Sequence, residues 1–255
     1  MSFNALYTDL SAYYDLMCAD IDYRTQSLGA IRLAQFFGNG GKQHLDLACG
    51  TGPHLEHFLA AGFDCTGLDL NQPMLDLAKQ RCPTAQFLRQ NICDFRLEQP
   101  VDLITCFLYS LHYAGDTQGL TSCIRHVQAA LKPGGVFCFN AVDKDLIDNH
   151  AKVRHRASKI IAQQQHDFIF ESGWFYPGQG DKQSLNLSIA KTNQGVTQQW
   201  QDQHPMVAMT FAQLRALLEP AFEVMMLEHD YEKIMPWDGS SGNALVVCIK
   251  KNLPC

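Results

Sequence analysis

Apolar residues three and four apart along SLGAIRLAQFF (27–37) predict a helix, and the GNGG that follows (38–41) stops it. HLDLA (44–48) is a short apolar run of strand length, and PHLEHFLAAG (53–62) returns to helical spacing and closes on Gly62. The alternation continues with a strand over DCTGLDL (64–70) and a helix over QPMLDLAKQRC (72–82), which has Pro73 in its first turn. AQFLRQNI (85–92) and VDLITCFL (101–108) predict two more strands. LTSCIRHVQAALK (120–132) predicts a helix, and the turn PGG leads into a strand over VFCFNAV (136–142). Strands and helices in this order require right-handed crossovers, and so predict an α/β fold with a parallel sheet covered on both faces. Ligands of such sheets sit at the carboxyl ends of the strands, where the strand order reverses.

The pattern changes near residue 150. AKVRHRASK (151–159) reads as a basic helix or linker, and Lys152, Arg154, Arg156 and Lys159 form either a solvated face or a grip on an anionic substrate. HDFIFESGWFY, SLNLSIAK and VTQQWQDQH alternate in the manner of strands, with turns at Gly178 to Gly180 and at Asn193 to Gly195. They predict a small antiparallel sheet of three or four strands, inserted as 151–205 into a core formed by 1–150 and 206–255. Its aromatics, Trp174, Phe175, Tyr176 and Trp200, either fill that sheet's own core or serve as a lid or dimer contact. TFAQLRALLEP (210–220) then predicts a helix capped by Thr210, and FEVMMLEHDY and ALVVCIKK predict the last strands.

Composition narrows the function classes. With 46% hydrophobic and 18% charged residues the 255-residue chain is of ordinary globular type. A net charge of −6 gives no general attraction for nucleic acid, and no run is apolar enough to span a bilayer. The N-terminal stretch carries early acids and no basic flank, unlike a secretory signal. Ten cysteines are scattered without a C-x-x-C pair, and Cys106, Cys138 and Cys248 lie in apolar runs. They read as buried thiols in a reducing compartment, with no metal site, and the expected location is the cytoplasm.

Chemistry concentrates in HLDLACGTG (44–52). Gly50 and Gly52, between a strand and a helix, let backbone approach a ligand where a Cβ would collide. A dinucleotide site would place a third glycine where Leu55 stands, and Asp46 would repel a pyrophosphate. A ligand with a cationic group fits Asp46 better, which argues against a dehydrogenase.

These residues resemble motif I of the class I methyltransferases that use S-adenosylmethionine. The resemblance implies a Rossmann-like, seven-stranded, mostly parallel sheet. It places Asp46, Ala48, Gly50 and Gly52 along the methionyl part of the cofactor. Asp69, at the end of the next strand beside Leu70, would accept both ribose hydroxyls, and Met74 would pack on the adenine. QNICDF matches the loop in which Asp94 accepts from the adenine amino group and the Cys93 amide meets the ring, with Asn91 and Ile92 alongside. Phe107, after the fourth strand, completes the set. The opening AYYDLMCADIDY resembles that of sugar and glycine N-methyltransferases, so Tyr14 and Tyr23 would face the cofactor.

Methyl transfer from a sulfonium needs alignment in a dry site more than acid or base help. His112 is the candidate for deprotonating or orienting the acceptor, Tyr14 a second catalytic candidate, and Tyr109 and Tyr113 would line the acceptor pocket. No DPPY-like tetrapeptide of the DNA and amide methylases is present. The expectation is an enzyme that methylates N or O of a small molecule, as a monomer or homodimer. A protein or RNA methyltransferase and a non-catalytic cofactor-binding subunit are the alternatives. Because every cofactor motif precedes residue 150, the insertion is expected to control the acceptor and not the cofactor.

Overall fold

A computed structural model describes residues 5–7 and 10–251. Eleven strands form two sheets. The larger contains β1 (Gln43–Leu47), β2 (Asp64–Asp69), β3 (Gln86–Arg89), β4 (Val101–Cys106), β5 (Leu131–Val142), β10 (Phe222–Glu228) and β11 (Asn243–Lys250). Its order is β10-β11-β5-β4-β1-β2-β3, parallel except for β11, which runs antiparallel to both neighbours. The strand order reverses between β1 and β4, so a crevice opens at their carboxyl ends.

Helices α2 (Tyr23–Phe37), α3 (Pro53–Ala60) and α4 (Gln72–Arg81) cover one face. There Leu55, Phe58 and Leu75 pack with Leu103, Cys138 and Val247. Helices α5 (Thr117–Ala130) and α6 (Phe211–Leu218) cover the other, packing Val127 and Leu214 against Ile104, Phe137 and Phe139. Helix α6 starts with a full capping box: the Thr210 hydroxyl accepts from the Gln213 amide, and the Gln213 side chain accepts from the Thr210 N–H. Cys106, Cys138 and Cys248 are fully buried in the sheet, as the apolar runs around them predict.

The second sheet is an antiparallel meander of β6 (Val153–Ile161), β7 (Gln164–Phe175), β8 (Lys182–Asn193) and β9 (Val196–Val207). The helix or linker expected at 151–159 is corrected: it is strand β6. Val153, His155 and Ala157 alternate with Arg154, Arg156 and Ser158, a period of two that pairs with β7. The hairpin turn between them, Ala162 and Gln163, has φ of 49° and 63° without any glycine, so the usual turn signal is missing.

One face of this sheet carries Phe168, Phe170, Leu187 and Ile189. Leu6 and Leu10 from the start of the chain complete a separate core with them, and Tyr7, Tyr13, Tyr14 and Trp200 pack at its margin. The N-terminal segment, with its short helix α1 (Tyr14–Met17), thus bridges the two sheets. Lys191 donates to the Tyr13 hydroxyl at 3.1 Å, and His155 Nδ1 lies 2.6 Å from Asp20.

Candidate active site at the carboxyl ends of the parallel strands

Strand β1 ends in a turn of alternating left-handed residues, Ala48, Gly50 and Gly52, with φ of 54°, 56° and 80°. A Cβ on Gly52 would come within 3.2 Å of Ala78 in α4, so this glycine permits close helix packing. A Cβ on Gly50 would meet only the Tyr14 ring edge, at 3.9 Å. The space over Gly50 is therefore open to a ligand, with Tyr14 as its roof. The Gly50 amide donates to Asp69 Oδ2 at 3.0 Å, and the Asn71 amide donates to Asp69 Oδ1 at 2.8 Å. The carboxylate at the end of β2 thus holds the glycine turn and keeps lone pairs for a diol. Burial raises the Asp69 pKa, and the backbone donors pull it back.

Asp46 is 2% exposed and accepts from the Thr105 hydroxyl at 2.7 Å, and Thr105 in turn lies 2.8 Å from His44 Nε2. Desolvation pushes its pKa up to about 7, with Thr105 opposing and the charge of Asp69 adding to the rise. Among the described residues no cationic side chain pairs with it. A buried acid without a cation, an open glycine turn and a diol-ready carboxylate fit S-adenosylmethionine in charge and shape.

A feature that the sequence reading missed pins the roof. Arg81 on α4 donates to the Thr51 carbonyl and hydroxyl at 2.7 and 2.9 Å and to Asp15 at 2.5 Å, and the Thr51 hydroxyl donates to Asp15 at 2.5 Å. Asp15 follows Tyr14, so this network fixes Tyr14 above the turn. Arg81 is a helix-end arginine with no motif around it, and only the fold brings it to Thr51.

Strand β4 ends in a second unusual turn. Leu108 and Tyr109, neither of them glycine, have φ of 52° and 61°, and the buried Asn140 side chain accepts from the Tyr109 amide at 3.1 Å. Such conformations cost free energy and persist where the surroundings enforce them, often at functional sites. Tyr109 lies edge-on to Trp174 at 5.7 Å and beside His229 at 5.9 Å. These side chains from three parts of the chain form an aromatic wall at the turn that follows β4.

Tyr14, Asp46, Ala48, Gly50, Gly52 and Asp69 come together at this crevice, with Leu70 exposed beside them and Asn91 at the carboxyl end of β3. Tyr23 lies edge-on to His54, behind the turn. Several expectations are corrected. The Asp94 side chain is 85% exposed and faces His126 on α5 at 3.8 Å. The Cys93 amide is used within its own turn, donating to Asn91 Oδ1 at 2.9 Å, and Ile92 is buried in the α5 side of the core. Met74, at 1% exposure, is already covered by protein. The Phe107 ring stacks flat on His54 at 3.9 Å, within the helix layer.

His112 also departs from expectation. It is 4% exposed, its Nε2 accepts from the Val142 amide at 3.1 Å, and its Nδ1 donates to the Val207 carbonyl at 2.8 Å. Burial pushes its pKa down to about 4, although the Val207 carbonyl pulls the other way. With both nitrogens committed to backbone, the ring ties β5 to β9 and has no lone pair to offer an acceptor proton.

Known proteins agree with this geometry. Residues 45–135 match a family described as "Methyltransferase domain". The chain is similar to a dTDP-4-amino-2,3,4,6-tetradeoxy-D-glucose N,N-dimethyltransferase of Saccharopolyspora spinosa, at 34% identity over 49% of this chain and 52% of that protein, about half its length. It is 28% identical to a dTDP-3-amino-3,4,6-trideoxy-alpha-D-glucopyranose N,N-dimethyltransferase of Streptomyces venezuelae, over 80% of this chain and 81% of that one. Its fold resembles the crystal structure of Streptomyces venezuelae DesVI, with a TM-score of 0.78 at 22% identity, covering 95% of this chain and 99% of that one. Residues 45–135, which hold the glycine turn and both carboxylates, thus carry the likeness to a methyltransferase domain, and the fold of the whole chain is that of the solved structure.

Proposed function

We propose that this protein methylates an amine nitrogen of a small molecule, an amino sugar being the leading class of acceptor. The observation that carries this reading is the aromatic wall of Tyr109, Trp174 and His229 at the turn that follows β4, which suits the apolar face of a sugar ring. The similarity to two amino-sugar N,N-dimethyltransferases supports it. The cofactor supplies an activated methyl group on a sulfonium. Asp69 would hold its ribose, Gly50 and Ala48 would line its path, Asp46 would balance its positive charge, and Tyr14 would shield it from water.

The acceptor amine must be neutral to attack, and the dry crevice favours the neutral form. Among the described residues nine free cysteines, eight of them buried, suit a reducing cytoplasm. Among the described residues no helix is long and apolar enough to cross a membrane. A homodimer through the antiparallel sheet, whose two edge strands β6 and β9 are unpaired, is part of the proposal. A nucleic-acid acceptor is not, given the net charge of −6.

The test is methyl transfer from radiolabelled cofactor to a panel of free and nucleotide-linked amino sugars, with their hydroxy analogues as controls. Transfer to amines and not to the matched hydroxyl compounds is the expected result. Transfer to hydroxyls alone, or to none of the panel, would remove the amine reading.

A further inference from the structure

Tyr7, Tyr113 and His204 come from the N-terminal segment, the turn after β4 and strand β9, yet their polar atoms form one line. Tyr113 Oη lies 2.7 Å from Tyr7 Oη and 2.6 Å from His204 Nδ1. On the far side of the imidazole, Nε2 is buried without a hydrogen-bond partner and faces Asp202 Oδ2 at 3.9 Å. His204 is 0% exposed, and the only apolar neighbour in register is Leu185 on β8.

The directions of these bonds follow from charge. A proton on Nε2 faces the Asp202 carboxylate favourably, whereas a lone pair there would be repelled. Nδ1 is then the acceptor, Tyr113 donates to it, and Tyr7 donates to Tyr113. A lone pair on Tyr7 is left that the line itself does not use. This open end lies at the crevice: the Tyr7 ring is 5.8 Å from Tyr14, the roof over Gly50, and Asp69 is near enough to raise the Tyr7 pKa beyond the rise from burial.

We propose that Tyr7, Tyr113 and His204 form a proton path that carries the proton of the methylated nitrogen from the crevice to Asp202. The proposal rests on the amine reading above. When the nitrogen lone pair forms the new C–N bond, the C–S bond breaks with its electron pair going to sulfur, and the nitrogen is left positively charged with one proton to lose. That proton passes to Tyr7 as the Tyr7 proton moves to Tyr113 and the Tyr113 proton to His204 Nδ1. The imidazolium formed is paired with the Asp202 carboxylate. Burial lowers the His204 pKa and the Asp202 charge opposes that fall. Asp202, partly exposed, returns it to water. The titratable groups that face His204 are Tyr7 from the N-terminal segment, Tyr113 from the turn after β4 and Asp202 from its own strand β9.

Two measurements test the path. In protein labelled with 15N-histidine and saturated with S-adenosylhomocysteine, His204 is expected to be neutral with its proton on Nε2, and Tyr113→Phe should shift its Nδ1 resonance. A proton on Nδ1, or a resting imidazolium at pH 7, overturns the proposal whether or not any acceptor is turned over. With an amine from the panel, Tyr113→Phe and His204→Gln should each lower kcat by 10- to 100-fold at pH 7, leave KM within about twofold, and recover as pH rises toward 9.5. Gln can still accept from Tyr113 but cannot take its proton, so it separates packing from proton transfer. A pH-independent loss, a loss confined to KM, or full activity of His204→Gln marks a structural contact and overturns the path. Absence of turnover by the parent protein with every amine would reject the amine reading, and the resonance measurement would still decide the direction of the bonds.

Discussion

Asp46 is a carboxylate kept from water with one hydroxyl as donor, and its raised pKa has a definite sign for stability. The folded state holds a proton on Asp46 up to about pH 7, whereas an unfolded Asp releases it near 3.9, so stability from this group falls as pH rises between those values. Asp46→Asn should therefore raise the melting temperature of the ligand-free protein at pH 8 and change it little at pH 5. The same variant should bind cofactor more weakly, because an amide cannot balance a positive charge; calorimetry with S-adenosylmethionine at pH 8 checks this. Asp69→Ala should cost tenfold or more in cofactor affinity, since a charge-assisted hydrogen bond contributes about 1.5–3 kcal/mol and the Gly50 turn also loses its acceptor. Asp69→Asn keeps one acceptor and should lose less. The placement of these two acids at the crevice was legible in the sequence because each stands near the end of a predicted strand, at fixed spacing from the glycine turn. Asp94 was misplaced because spacing alone does not tell where each polar residue of a four-residue turn points; Asn91 lies two residues beyond β3, and Asp94 leaves toward His126 on α5.

At the scale of elements, helix α1 is too short to stand alone and depends on what it is tied to. Arg81, Thr51 and Asp15 tie it to the glycine turn, and the tie is half exposed, so its contribution to global stability is small. Arg81→Ala should leave the denaturation midpoint nearly unchanged while amide exchange across 14–18 quickens at least tenfold and cofactor dissociation accelerates. Unchanged exchange there would show that Leu6 and Leu10 alone hold the segment. The helices and strands of the large sheet were legible from periodicity, and the Thr210 cap was read correctly. Strand β6 was not, because its basic residues suggest a solvated helix and its hairpin turn uses Ala162 and Gln163 where a glycine would have announced it. His112 was read as a free loop histidine because the two carbonyl and amide partners that occupy it come from β9 and β5, far away in sequence.

At the scale of the whole molecule, the two sheets share the N-terminal segment, and this revises the expectation that the insertion serves the acceptor alone. Replacing 151–205 by a Gly and Ser linker removes Phe168, Phe170, Leu187 and Ile189, the surface on which Leu6 and Leu10 pack. Cofactor affinity should then fall more than tenfold along with turnover, provided gel filtration shows the shortened protein is soluble; retained affinity would mean that Arg81 suffices to hold Tyr14. Acid should also act on the whole fold. His44, His54 and His112 are buried neutral, with pKa values pushed down to about 3, well below normal and to about 4, while unfolded histidines take a proton near 6.5. Stability from them is present above pH 6.5 and is lost as pH falls toward 4. Asp46 opposes part of this proton uptake, and the net effect is a stability that rises with pH between 5 and 6, which denaturant titrations at the two pH values can measure. The shared third core has one more consequence, for the order in which the protein is made. Leu6 and Leu10 leave the ribosome well before their partners in β7 and β8, which follow some 160 residues later. At translation rates of roughly 5–20 residues per second, that is a wait on the order of ten to thirty seconds. During it the glycine turn and Asp69 are already synthesised while the segment that will roof them has nothing to rest on, so the roof is among the last parts of the crevice to be set in place.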